Sequence, residues 1–218
     1  EDDPFLVKTY ADLKSIGKGK DALSAVYRLA NDIDASASKS ENESHPAYRG
    51  FEPIGNRLVD SSAMFFSSYG DRDTAGVFTG KFHGGGHAIK NLYVEAVADS
   101  VRRQAAFITR IGAEGLVDSL YLTAAVDGDD AAGIAVVNEG TIAGSVVDIV
   151  VKHGAEPSNA IAGGVVAFNE VDAVVSDCRA KVNIEADSIA GGIVAVNAGT
   201  VSKSTALGTI DAKTTKAM

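Results

Sequence analysis

Three stretches, Gly133-Ile-Ala-Val-Val-Asn138-Glu-Gly-Thr-Ile142, Gly164-Val-Val-Ala-Phe-Asn169 and Gly192-Ile-Val-Ala-Val-Asn197-Ala-Gly-Thr-Val201, lay one pattern over another. Each opens on a glycine, runs through small and β-branched residues, and reaches an asparagine at a corner. Alternation of faces along each run gives period two, the period of a strand and not of a helix. Fixed-period self-similarity dictates architecture more strongly than local propensity, so these copies decide the fold.

Two weaker copies lie upstream, Gly80-Lys-Phe-His-Gly-Gly-Gly-His-Ala-Ile89 with Lys90 to Val94, and Ala106-Phe-Ile-Thr-Arg-Ile-Gly-Ala-Glu-Gly-Leu-Val117 with Asp118 to Leu122. Taking the β-branched residue after each turn as marker, Ile89, Val117, Ile142, Val174 and Val201 follow one another at intervals of 28, 25, 32 and 27 residues. A unit of that size with two or three short strands cannot close a core alone and must stack on the next, about 4.8 Å along the axis. The expected fold is all-β: a right-handed parallel β-helix, or β-solenoid, of about five coils. Gly133, Gly164 and Gly192 and Asn138, Asn169 and Asn197 are its expected structural corners, since glycine and asparagine best tolerate φ > 0. The three asparagines are expected to stack as a ladder. A helical solenoid would need longer stretches of 3.6-residue amphipathicity than the glycine and β-branched density after Gly76 permits.

Before Gly76 the pattern changes. Thr9-Tyr-Ala-Asp-Leu-Lys-Ser-Ile16 offers a Thr/Asp start, apolar Leu13 and Ile16 at helical spacing, and Gly17 as a stop, so a short helix is expected over 10–16. Ala25 to Leu29 alternates like a strand, and the Ser-, Glu- and Asn-rich stretch Ala35 to Gly50 reads as a solvated loop. Ala63-Met-Phe-Phe-Ser-Ser-Tyr69 is the most aromatic part of the chain. It reads as a capping insertion over the first coil's apolar end, or as an exposed contact patch formed by Phe65, Phe66 and Tyr69. The organisation is therefore a cap and opening coil with polar and aromatic insertions over 1–75, repeats over 76–210, and a polar tail over 211–218, all in one folding unit. The acidic start and uncapped end suggest a mature form or a fragment of something longer.

A formal charge of −9 repels phosphate backbones, and only Val101-Arg102-Arg103 is locally basic, so nucleic-acid binding is disfavoured. No apolar run reaches the roughly 18 residues that span a bilayer. The single cysteine, Cys178, cannot form an internal disulfide, and it reads as a buried core thiol.

Tyr27-Arg-Leu-Ala-Asn-Asp-Ile-Asp34, Phe51-Glu-Pro-Ile-Gly55 and Phe78-Thr-Gly-Lys-Phe-His-Gly-Gly-Gly-His-Ala-Ile-Lys-Asn-Leu92, together with Gly163-Gly-Val-Val-Ala-Phe-Asn169 and Gly191-Gly-Ile-Val-Ala-Val-Asn197, resemble the opening coil and repeats of GLUG-motif β-helix proteins. The resemblance runs from about Tyr10 to Ile210. It implies a segment of a large bacterial exoprotein or adhesin, or of the N-terminal region of an immunoglobulin-A1-specific metalloprotease. Two places depart from the pattern: Ala105-Ala-Phe stands where Gly-Gly is usual, and Asn169-Glu-Val-Asp lacks the Asn-x-Gly corner. Those corners are expected to differ in shape.

His83-Gly-Gly-Gly-His87 lacks the third ligand of a zinc site and the Gly-x-Ser-x-Gly turn of an esterase, which leaves a structural corner. Asn31-Asp-Ile-Asp34 has the alternating oxygens of a Ca²⁺ loop but not the six to eight such a site needs, so turn capping is the reading. Asp129-Asp130 could be the acid and base of a polysaccharide hydrolase. With no third acid, Gly-His-Gly or Arg-x-Lys of the hydrolase motif following it, and no His, Lys or Arg at the corresponding positions Glu156 to Asn159 and Asp187-Ser188, the pair reads as a solvated corner. No catalytic residue, cofactor or metal is assigned. The functional expectation is a non-catalytic, secreted or cell-surface scaffold or binding segment of an adhesin-like bacterial exoprotein, meeting a host or cell-surface protein or glycan. The alternatives are a substrate-recognition accessory domain of a secreted metalloprotease, and a β-helix polysaccharide-degrading enzyme.

Overall fold

The computed structural model describes residues 3–19, 22–45, 47–55, 76–97, 103–152 and 160–212. The aromatic patch residues Phe65, Phe66 and Tyr69 lie outside the described residues, as do Glu156 to Asn159.

The N-terminal segment holds β1 (Phe5–Val7), α1 (Tyr10–Ser15), β2 (Val26–Leu29), β3 (Ile33–Asp34), a 3₁₀ turn (Ser36–Ser40), β4 (Tyr48–Gly50), β5 (Lys81–His83) and β6 (Ala88–Ala96). Four sets of four strands follow. They are β7 to β10 (Gln104–Ala105, Ile108–Ile111, Leu116–Asp118, Tyr121–Asp127) and β11 to β14 (Asp130–Ala132, Ala135–Asn138, Thr141–Ala143, Val146–Lys152). The last two are β15 to β18 (Ile161–Gly163, Val166–Asn169, Val174–Ser176, Arg179–Ala186) and β19 to β22 (Ile189–Gly191, Val194–Asn197, Thr200–Ser202, Thr205–Ala212).

Each strand pairs with its counterpart one set away, so the chain is all-β with parallel sheets. One seven-stranded sheet runs β1-β2-β5-β9-β13-β17-β21, and a second takes the long strands β22-β18-β14-β10-β6-β3 with β4 beside β6. Two four-stranded sheets run β19-β15-β11-β7 and β20-β16-β12-β8. Alternation sets the faces: in β18, Ala180, Val182, Ile184 and Ala186 are buried while Arg179, Lys181, Asn183 and Glu185 are exposed. Most of the buried rows join in one core that extends from Val7 to Ala186, and a second, smaller cluster gathers Ala106, Ala132, Val136, Ile161 and Ala167.

The register differs from the sequence markers at two points. Val117 pairs with Phe82, not with Ile89, which lies in the long-strand sheet opposite Leu122. Ile142 pairs with Val175 rather than Val174. Both strands after a corner begin with apolar residues, so the marker slid from one to the other. The corner after Asn169 is also longer than that after Asn138: Thr141 stands opposite Val174, and Asp172 takes φ 68° to make the turn.

Contrary to expectation, none of Gly133, Gly164, Gly192, Asn138, Asn169 and Asn197 takes φ > 0; glycines 163 and 164 answer a close approach instead. A Cβ on Gly163 would lie 1.8 Å from the Val166 carbonyl oxygen, and one on Gly164 would lie 2.0 Å from that of Gly192. The Ala106-Phe107 corner has room instead, and Phe107 fills it. Its ring stacks on Phe51 at 5.9 Å and meets Phe82 edge-on at 5.2 Å, all three fully or nearly fully buried.

Thr9 and Asp12 start α1 with a reciprocal capping box: Asp12 N donates to Thr9 Oγ1 at 3.1 Å and Thr9 N to Asp12 Oδ2 at 2.9 Å. Leu13 anchors the helix in the core. The stretch 35–50, expected as a solvated loop, is exposed at most of its described residues, but Ala35, Ser38, Ala47, Tyr48 and Gly50 are buried. Ser38 is fully buried, donating to Ala35 O at 2.6 Å and accepting from Tyr93 N at 2.9 Å, while β4 pairs antiparallel with β6. Its polar side chains serve the backbone of the fold, which composition alone conceals.

Candidate functional site

The corner asparagines form a directed chain. Asn138 Nδ2 donates to Asn169 Oδ1 at 2.8 Å, and Asn169 Nδ2 to Asn197 Oδ1 at 2.8 Å. Asn138 also closes its own turn, accepting from Gly140 N at 3.2 Å. Asn138 and Asn169 are buried, so each amide satisfies groups that water cannot reach. Asn197, in the last set of strands, is exposed.

Asp129 and Asp130 are not solvated, contrary to expectation: they are 8% and 3% exposed. Arg103, one set of strands earlier, converges on Asp129. Its backbone N–H donates to Oδ2 at 3.0 Å, and its Nε and Nη2 donate to Oδ1 at 3.1 and 2.7 Å. Asp127 lies 3.8 Å from the same guanidinium. Burial works against the charge on Arg103, but the Asp129 carboxylate outweighs it and holds the guanidinium above its ordinary range. The signal in the sequence was spacing, since Arg103 precedes Asp129 by nearly the same step that separates the strand sets. Asp187 plays a related part by accepting from the backbone N–H of Ala160. These carboxylates are fastened to the neighbouring turn of chain.

The outward face of the long-strand sheet presents parallel rows. Tyr121, Val146, Arg179 and Thr205 stand in register, beside Thr123, Asp148, Lys181 and Leu207. Lys181 Nζ bonds Asp148 at 2.9 Å, and Tyr121 and Leu207 are exposed. Further along, Tyr93 donates to Glu95 at 2.8 Å and Arg49 pairs with Glu95 at 3.1 Å. Burial and the Glu95 carboxylate push the Tyr93 hydroxyl up to about 12. This face carries mixed charge and two aromatic rings, Tyr93 and Tyr121.

The two histidines are held apart by separate acids. His83 Nδ1 lies 2.8 Å from Asp118 Oδ2, and His87 Nδ1 lies 3.6 Å from Asp32 Oδ1. Asp32 accepts from Ala88 N at 3.0 Å and Lys90 Nζ at 2.7 Å, while Asp34 accepts from Ser36 N and Asn91 Nδ2, both at 3.0 Å. Among the described residues, no group of three or more His, Cys, Asp or Glu side chains is placed to hold a metal ion. Cys178 is buried, which pushes its thiol up. No helix among the described residues is long and apolar enough to cross a membrane.

These features define an all-β chain with parallel sheets whose side-chain pairs join one set of strands to the next. No family model matches it. Over 165 residues it is 32% identical to Halomucin of Haloquadratum walsbyi, a match that covers 75% of this chain and 2% of that protein. The chain thus spans about a fiftieth of the length of this curated relative. Among solved structures it is similar to a candidate immunoglobulin A1 protease from Bacteroides ovatus, at 16% identity and a TM-score of 0.46, covering 100% of this chain and 80% of that one.

Proposed function

We propose that the chain winds as a right-handed parallel β-helix and acts as a non-catalytic scaffold or binding segment of a secreted or surface, adhesin-like exoprotein. An opening turn through β5 and β6 and four complete turns, β7–β10 to β19–β22, make about five coils. Parallel crossovers are right-handed in nearly all known cases, which supports the hand. The elements before residue 56 are read as the cap of that opening turn and β7 to β22 as the repeats, in one folding unit. The match to a small fraction of a far longer relative supports reading it as a segment.

The observation that carries this reading is the direction in which polar chemistry is spent. Asn138 on Asn169, Arg103 on Asp129, His83 on Asp118 and Lys181 on Asp148 each join neighbouring turns. An acid–base couple would instead need groups converging on a cleft. The ligand of such a segment is a host or cell-surface protein or glycan met by the long-strand face. The test is reducing-sugar release from acidic and neutral polysaccharides, with a glycan array run in parallel. We expect no turnover, and any retention on the array to fall in Tyr121→Ala. Sugar release that disappears in the folded Asp129→Asn/Asp130→Asn variant would overturn the scaffold reading in favour of an enzyme.

A further inference from the structure

All four sheets end on one set of strands, β19 to β22. Along each inward row, residues sealed in earlier turns are open in this one. Ile142 and Val175 are fully buried, whereas Val201, next in their row, is 38% exposed. Val151 and Ile184 are buried, whereas Ile210 is 43% exposed. The asparagine chain has a direction as well, since each Nδ2 donates to the Oδ1 one turn later. Asn197 receives that bond and donates to Gly199 O at 3.1 Å within its own corner, as Asn138 does to Gly140 O at 3.3 Å. The acceptor that Asn138 and Asn169 find one turn on has no counterpart among the described residues beyond β20.

The geometry points to this end as a docking surface for one further coil of the same repeat, its strands parallel to β19–β22 and a side-chain carbonyl set against Asn197 Nδ2. The inference rests on the stacked-coil reading above. A second copy fits less well. A two-fold partner would bring Asn197 against Asn197 and could not continue the parallel register in all four sheets. A head-to-tail partner would meet an end where Ile54 and Phe78 already bridge to β8, β4 lies antiparallel on β6, and α1 buries Leu13.

The experiment extends the chain after Ala212 with a duplicate of residues 187–212, and follows amide hydrogen exchange in the original and extended chains. A second extension carries leucine at the duplicate's ladder asparagine. We expect the first extension to slow exchange in β20, β21 and β22 by about tenfold or more, and the leucine version to protect the β20 corner less. Unchanged exchange in β20–β22 while β14 and β18 stay protected would overturn the docking proposal alone. So would an original chain that elutes as a dimer with β22 already protected, because the occupant would then be a second copy. Fast exchange throughout β14 and β18 would defeat the stacked-coil reading and this inference with it.

Discussion

Asn169 sits between two asparagines, accepting from Asn138 and donating to Asn197, each bond 2.8 Å long. A buried amide bonded on both sides leaves two neighbours unsatisfied when it is removed. Asn169→Ala should therefore destabilise by about 1–3 kcal/mol. Asn197→Ala, at an exposed corner, should cost less. Denaturant unfolding of both variants checks the order, and equal stability to the parent in both would refute the ladder as a stabilising element.

Gly163 and Gly192 provide a steric contrast. A methyl group at Gly163 meets the Val166 carbonyl oxygen at 1.8 Å, whereas at Gly192 the only near atom among the described residues is the Ala206 methyl at 2.6 Å. Gly163→Ala should lower stability by about 1–3 kcal/mol or more, since backbone must move, and Gly192→Ala by clearly less. Thermal melts of the pair read the difference.

Arg103 and Asp129 should behave as a coupled pair. Arg103→Ala removes both guanidinium bonds from a carboxylate with only 11% of its side chain exposed while keeping the backbone N–H bond to Oδ2, and a loss of about 1.5–3 kcal/mol is expected. A double-mutant cycle with Asp129→Ala should return most of that as coupling; additive losses would mean that the pair contributes only packing.

The N-terminal half should be acid-sensitive. Lys90 and the Ala88 N–H hold the Asp32 carboxyl below its ordinary 3.8, and Asn91 and Ser36 do the same for Asp34. For Glu41, burial pushes upward but bonds from Lys14 and Tyr10 win, leaving it below 4.5. Groups with a depressed folded pKa contribute stability that is present above the ordinary value and lost as pH falls through the folded one. Melting temperature should vary little from about pH 7 to 5 on their account and decline below about pH 4. In Glu41→Gln that decline should shrink.

Cys178 should resist alkylation in the folded chain, because it is buried and its thiol is raised, and the thiolate is the nucleophile. Iodoacetamide labelling followed by mass measurement should show modification only with denaturant; rapid labelling of the native chain would contradict the burial.

Strand character and parallel pairing were legible because alternation and glycine punctuation are local signals. Register was not. One longer corner between Asn169 and Val174 shifts the alignment, and similar apolar starts on successive strands let a marker jump sheets, as Ile89 did. The Arg103 and Asp129 pair was hidden for the same reason, since partners about one turn apart in sequence become neighbours only once the register is known. Ser38 was hidden by composition: a serine-rich stretch reads as solvated, yet this hydroxyl bridges Ala35 and Tyr93 inside the fold.

The aromatic trio of Phe51, Phe82 and Phe107 lies at one end of the stack, while the last strands hold Val201, Ile210 and Gly208 half in water. On the proposed stacked-coil reading each turn touches mainly its neighbours, so cohesion is unevenly distributed along the axis. Under a pulling force applied across the two termini, the chain should yield from the C-terminal side and peel back one turn at a time. The phenylalanine-filled turn would be the last to give way, so the molecule would lengthen in steps with a built-in polarity.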